Sequence, residues 1–352
     1  MIARTSPWRG LTGPRLQHLS LQALTGVCLL AMCNLAWQHA WVAEDAFINF
    51  RVIVHLLDGQ GPVWNLGERV QVYTSPMWLA WSAGLTALGG DPIMATLALS
   101  AGLCGLTALV LWQASGRHVT WWLAVTMAWL CSHSVRDYLC SGLETPMVML
   151  ACAAAVVALS QTPAPTWRQT TSIVALAMLV RHDLAPLLAP FAIQAWRAHA
   201  ATLPLQGHRP SPWWPVLLGS SPLLAWSLWS TWYHGSPLPN TALAKLPPGW
   251  HGQLQALHYF NQLQAFDPVA YAWMAAALGL CWATRSTLRW PLLASLALFA
   301  GYLLRVGGDY MAGRFMVGPI TLCVCVLALA GQAAWARHGH LWPQAGRPHL
   351  IL

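Results

Sequence analysis

The apolar residues of this chain are gathered into long runs, and any fold has to bury them. The runs lie near 21–42, 93–113, 119–132, 146–160, 169–182, 184–196, 213–232, 268–284, 290–304 and 315–335, with a shorter one at 76–90. Hydrophobic residues make up 57% of the 352 and charged residues only 8%, about a third of the usual share of ~25%. So few charges cannot cover a soluble globule, which excludes a soluble enzyme, a disordered tail and a nucleic-acid module. The net charge of +8 is no argument for nucleic acid, because the Arg residues are dispersed rather than clustered on one face. What remains is an all-α polytopic membrane protein, since a helix satisfies its own backbone in lipid and needs about 20 apolar residues to cross. The 23 Trp residues suit two membrane interfaces. The cysteines lie mostly inside apolar runs with no CxxC pair, as small packing residues do.

Charge placement orients the spans. Arg4, Arg9 and Arg15 precede the first run, and no small-x-small cleavage site follows it, so 21–42 reads as a retained span with a cytoplasmic N-terminus. The run at 76–90, opened by the helix start Thr74-Ser75-Pro76, is the ambiguous one. If it lies flat in the outer interface, ten spans remain. The cytoplasmic loops then hold Arg117, Arg168, Arg197, Arg209, Arg285, Arg289, Arg337 and Arg347. All ten acidic residues fall on the outer side: Glu44, Asp45, Asp58, Glu68, Asp91, Asp137, Glu144, Asp183, Asp267 and Asp309. If it crosses, the Arg bias reverses, so the positive-inside rule favours the flat version. The expected organisation is a transmembrane domain over 1–335, interfacial helices in a first outer loop at 41–92, and a cytoplasmic tail at 336–352. Carboxylates near membrane depth are expensive and usually functional, so the one-sided acids read as a site.

The first outer loop predicts a short helix from Glu44 to Leu57, a stop at Asp58-Gly59, a turn at Asn65–Glu68 and a brief extended stretch at Val70–Tyr73. Neighbours on a helix point about 100° apart, so Glu44 and Asp45 are not expected to face one small target. Asp45 is the stronger candidate for a general base. Further loops offer Arg136, Asp137 and Glu144 (the last also a candidate helix cap), then Arg181 and Asp183 as a candidate structural pair. Lys245 is the single Lys of the chain, and Gly307-Gly308 stand next to Asp309 and Arg314. Lys245, Arg181 and Arg314 suit a phosphate. No GxSxG, HExxH, Walker or Rossmann pattern occurs.

Taken together, these loops resemble a known family. The segments E-D-A-F-I-N-F-R from Glu44, G-Q-G-P-V-W-N-L-G-E-R-V from Gly59 and Y-T-S-P-M-W from Tyr73 are similar to the signature of a bacterial family of GT-C class membrane glycosyltransferases. Its well-known relatives are the mycobacterial terminal β-(1→2)-arabinofuranosyltransferases. Gly142–Pro146, Arg181-His182-Asp183, Leu238–Thr241 with Lys245, and Gly307–Tyr310 with Arg314 follow in the family's order. The resemblance runs from about residue 40 to 320. It implies a polyprenyl-phosphate sugar donor and a periplasmic acceptor (glycan, lipid or protein). It also implies transfer on the outer face of the cytoplasmic membrane and an essential acid that maps onto Asp45. It places Arg51, Glu68, Tyr73 and Asn240 among the substrate-binding residues with those named above. The family usually carries Asp-Asp where this chain has Glu44-Asp45, which leaves Asp45 as the conforming residue. The mycobacterial members continue into a large soluble domain after the last span. Their polysaccharide acceptor is therefore not implied here, and the sugar, arabinofuranose or another, is left open.

No cofactor is required by the sequence. There is no DxD pair, and a divalent metal is open only through Asp137 or Asp309 joining Asp45. Two other classes compete. A polyprenyl-lipid or glycan transporter should show internal repeats and mid-membrane charges, whereas the acids here lie at span ends. A non-catalytic envelope assembly partner would tolerate loss of Asp45.

Overall fold

The computed structural model describes residues 13–203, 211–244 and 250–338. Among these the chain is all-α: α1 (Gly13–Gln38), α2 (Glu44–Leu57), α3 (Pro76–Gly89), α4 (Pro92–Ala114), α5 (Val119–Cys131), α6 (His133–Asp137), α7 (Thr145–Leu159), α8 (Trp167–Val180), α9 (Leu184–Thr202), α10 (Trp213–His234), α11 (Asn240–Ala244), α12 (His251–Phe266), α13 (Pro268–Ala283), α14 (Arg289–Val306) and α15 (Val317–His338). Polar residues in the connections start α3, α4 and α8. Ser75 accepts from Trp78 N ahead of Pro76. Asp91 Oδ1 accepts from Ile93 N (2.7 Å) and Met94 N (3.0 Å) ahead of Pro92. Thr166 and Gln169 form a reciprocal capping box. The stretch at Val70–Tyr73 forms no strand. Its backbone is tied sideways instead, with Gln71 O accepting from Asn240 N (3.0 Å).

Hydrogen bonds between connections show which ends meet. Trp41 N, just past α1, donates to Cys140 O (3.0 Å), and Cys140 Sγ donates to Leu97 O (3.4 Å) near the start of α4. The chain therefore leaves α1 and enters α4 at the same end of the bundle, and α3 does not run from one end to the other. Asp267 Oδ2 accepts from Ser132 Oγ (2.5 Å) and Ser134 N (2.9 Å), which adds the α12–α13 corner to this end. At the other end Trp121 Nε1 donates to Ala328 O (3.1 Å) and Arg337 Nη1 to Thr284 O (3.2 Å). All ten acidic residues lie at the first end, in connections or in the short helices α2 and α6. The second holds Arg117, Arg168, Arg197, Arg285, Arg289 and Arg337 and no acid.

α15 is buried over most of 317–330 and packs against α4, α5, α7 and α13. Tryptophan plays a wider part than interface anchoring, because Trp78, Trp122 and Trp129 are fully buried. The indoles of Trp122 and Trp129 donate to Ala108 O and Thr321 Oγ1, both at 2.9 Å, so each N–H is satisfied inside the packing. Six of the nine cysteines are buried and all nine are free, as packing residues would be. Among the described residues two helices are long and apolar enough to cross a membrane, Pro92–Ala114 and Arg314–Arg337. Thr25–Gln38, Val119–Cys131, Thr145–Leu159 and Pro268–Ala283 are apolar but shorter.

Candidate active site

A buried ion network joins four connections at the acidic end. α2 begins at Glu44, with Asp45 in its first turn, and Ala46, Phe50 and Ile53 bury its opposite side. The connection from α14 to α15 descends beside it through Gly307 (φ +88°) and Gly308 (φ +80°), then Asp309 and Tyr310, to a 3-10 turn at Arg314–Met316. Arg314 Nη1 donates to Asp45 Oδ2 (2.7 Å) and stands 3.5 Å from Asp309 Oδ2, while Nη2 reaches Glu144 Oε1 (3.4 Å). Arg181 Nη1 donates to the same Glu144 oxygen (2.5 Å). Its Nε and Nη2 form a two-pronged pair with Asp183 (2.9 and 2.6 Å), and its guanidinium lies 4.8 Å over the Phe315 ring.

Glu144 is therefore a bridge between two guanidiniums. No side-chain cap of α7 forms, contrary to the capping alternative. Burial pushes its carboxyl up, but the Arg314 and Arg181 charges overcome this and hold it at about 2. The Tyr310 hydroxyl donates to Glu44 Oε1 (3.2 Å) and stands 3.4 Å from Asp45 Oδ1. Burial and the two carboxylates push that phenol up to about 12, so it is a neutral donor at pH 7. The two adjacent acids thus do meet one group, because a tyrosine hydroxyl reaches between them off the end of α2.

The network opens on a cavity of about 940 Å³ lined by Asp45, Glu144, Asp309, Tyr310 and Arg314, and also by Tyr73. That volume lies within the range of small-molecule sites, roughly 300–1,000 Å³. Exposure separates the acids: the side chain of Asp45 is 31% exposed, against 2% for Glu144 and 1% for Asp309. Asp45 is the member of the network that a substrate can reach. Arg314 Nε and Asp309 Oδ1 are buried without a hydrogen-bond partner among the described residues.

Other sequence candidates stand apart from this cavity. Arg51 is exposed over Trp64 (4.6 Å); six residues along α2 turn it about 120° away from Asp45. Glu68 is exposed at the turn and accepts from Asn65 (3.0 Å). Asp137 pairs with His133 (3.3 Å). Asn240 joins through its backbone, and its neighbour Thr241 lines the cavity instead. Arg181 and Asp183 belong to the network but do not line this cavity, and Arg181 is shared between Asp183 and Glu144. Lys245 falls outside the described residues. Among the described residues no group of three or more His, Cys, Asp or Glu is gathered for a metal ion. The Arg314 guanidinium takes the place between Asp45 and Asp309 that a shared divalent ion would need, and Asp137 is not beside them.

Sequence reasoning missed α12, which supplies Gln255, His258, Tyr259 and Gln262 to the cavity wall. Its signal was present: Gly252, Ala256, Tyr259 and Leu263 recur at helical spacing and are the residues it buries.

No family model and no solved structure matches the chain. Two curated proteins do. The terminal β-(1→2)-arabinofuranosyltransferase of Mycobacterium tuberculosis is 26% identical over 352 aligned residues, covering 84% of this chain and 53% of that protein. The protein of the same name from Corynebacterium glutamicum is 26% identical over 338, covering 81% of this chain and 47% of its own length. The chain spans about half the length of these relatives, and over most of its own length it is similar to terminal β-(1→2)-arabinofuranosyltransferases.

Proposed function

We propose that this chain is a membrane glycosyltransferase of the GT-C type. In this reading it moves a sugar, arabinofuranose by analogy with the relatives, from a polyprenyl-phosphate donor to an acceptor hydroxyl. The observation that carries the reading is the convergence of Asp45, Glu144, Asp309 and Arg314, from three parts of the chain far apart in sequence, on one cavity at the acid-bearing end. Ten helices, α1, α4, α5, α7, α8, α9, α10, α13, α14 and α15, would cross the membrane. The Arg-bearing end would face the cytoplasm and the cavity the periplasm. α2, α3 and α12 would lie at the outer surface.

In the transfer, the bond from the anomeric carbon to the donor phosphate breaks, and its electron pair leaves on the phosphate. The acceptor oxygen bonds to that carbon, and its proton passes to Asp45. Arg314 holds one Asp45 oxygen, and the other stands at the cavity beside Tyr310. Asp45, Glu144, Asp183 and Asp309 share only Arg181 and Arg314, so the formal charge of the network is −2 (four acids less two bases). Such a field favours positive charge developing at the anomeric carbon. It disfavours seating the phosphate on Arg314 or Arg181, both already engaged. Lys245, next in sequence after the cavity-lining Ala244, then becomes the phosphate's partner.

The test is transfer in proteoliposomes from farnesyl-phosphoryl arabinofuranose, with parallel hexosyl donors, to an octyl glycoside acceptor. Release of farnesyl phosphate with formation of a new glycoside is expected. Absence of transfer from every donor sugar would overturn the reading.

A further inference from the structure

The cavity has two chemically different walls. One carries the ion network. The other is α12, where Gln255, His258 and Gln262, at i, i+3 and i+7, share a face toward the cavity. None of the three is needed to hold α12 in place, because its buried residues are Gly252, Ala256, Tyr259 and Leu263. His258 and Gln262 are already paired through their side chains (3.0 Å). The glycines before Asp309 bring this wall close to the acids. A Cβ on Gly307 would meet Gln255 Oε1 at 2.6 Å, and one on Gly308 would meet the Tyr259 ring at 2.7 Å. Both glycines sit at positive φ, so the chain passes α12 where no other residue fits easily.

We propose that the α12 wall is a subsite for the hydroxyl groups of a sugar ring, read by Gln255, His258 and Gln262. A carboxamide offers a donor and an acceptor together, and a neutral imidazole does the same across its two nitrogens. That pattern matches sugar hydroxyls, each of which also gives and accepts. A phosphate would call for Arg or Lys, which this wall lacks, and a lipid tail for a run of apolar side chains, whereas Leu254 is the single aliphatic residue that α12 brings to the cavity beside three polar ones. Asp45 lines the same cavity, so a ring bound there has both the hydroxyl-reading wall and the base within one site. The inference rests on the glycosyl-transfer reading and adds the residues that select the sugar. A wall built to bond hydroxyls discriminates strongly against a ring that lacks one.

The test uses the full chain in detergent, with octyl arabinofuranoside and octyl mannopyranoside as probes and saturation-transfer difference NMR as the readout. The wild type is expected to bind at least one probe. The triple variant Gln255→Leu/His258→Leu/Gln262→Leu is expected to bind it at least tenfold more weakly with an unchanged unfolding midpoint. The single variant Gln262→Leu, expected to weaken binding about threefold, serves if the triple does not fold. In transfer assays a rise in KM confined to the donor assigns the ring to the donor sugar, and a rise confined to the acceptor assigns it to the acceptor. Wild-type binding by the variants, or no probe binding by the wild type, overturns the subsite. Transfer at the normal rate by Asp45→Asn would remove the base assignment and leave the subsite standing, so the two failures are distinguishable.

Discussion

Replacing Glu144 by Gln tests the buried network where it is most constrained. The substitution keeps the shape and removes the charge that two guanidiniums share, Arg181 at 2.5 Å and Arg314 at 3.4 Å. The carboxyl is held at about 2 against an ordinary 4.5. At about 1.4 kcal/mol per unit this difference corresponds to roughly 3 kcal/mol of stability. Breaking a buried pair by removing one partner costs a similar amount, about 3–5 kcal/mol. Because the folded value lies below the unfolded one, the contribution is complete above pH ~4.5 and disappears as the pH falls toward 2. Unfolding of wild type and Glu144→Gln in detergent, followed by tryptophan fluorescence between pH 7 and pH 3, should show a deficit of about 3 kcal/mol at neutral pH that shrinks below pH 4.5. A variant as stable as wild type at pH 7, or a deficit unchanged down to pH 3, would refute the bridging role.

Two further outcomes follow from the same geometry. Gly308→Ala forces a side chain into the left-handed region at φ +80° and against the Tyr259 ring, and should cost about 1–3 kcal/mol in the same unfolding assay; an unchanged midpoint would contradict the close approach of α12 to the acidic loop. In a Cys131→Ser background, cysteines placed at Glu68 and Asp137 should react with an impermeant maleimide on intact cells and one placed at Arg197 only after permeabilisation; the reverse pattern would invert the proposed orientation.

Much of this was legible before any coordinates, for a physical reason. In a chain so poor in charge, each acid is costly wherever it lies, so its position along the sequence carries information that it would not carry in a soluble protein. The stretches read as spans are helices, α2 spans the residues expected of it, and the chain enters α4 at the same end at which it left α1. The convergence of Asp45, Asp309 and Arg314 was also within reach. Loop residues whose direction depends on local geometry were not. Arg51 and Glu68 share a loop with Asp45, yet one points around the helix and the other sits at a turn tip. Glu144 looked like a cap because Thr145-Pro146 follow it, and only the fold brings two guanidiniums to its side chain. α12 was missed because it is no apolar run, and half of its buried stripe, Gly252 and Ala256, is small.

The central claim is that Asp45, the exposed acid of the network, accepts the proton of the attacking hydroxyl. The direct measurement is the rate of sugar transfer by purified Asp45→Asn, compared with wild type at matched reconstitution and unfolding midpoint. A general base contributes about 10²–10⁴-fold, so a fall in kcat of at least a hundredfold is expected. An Asp45→Asn protein that transfers sugar at the wild-type rate would contradict it.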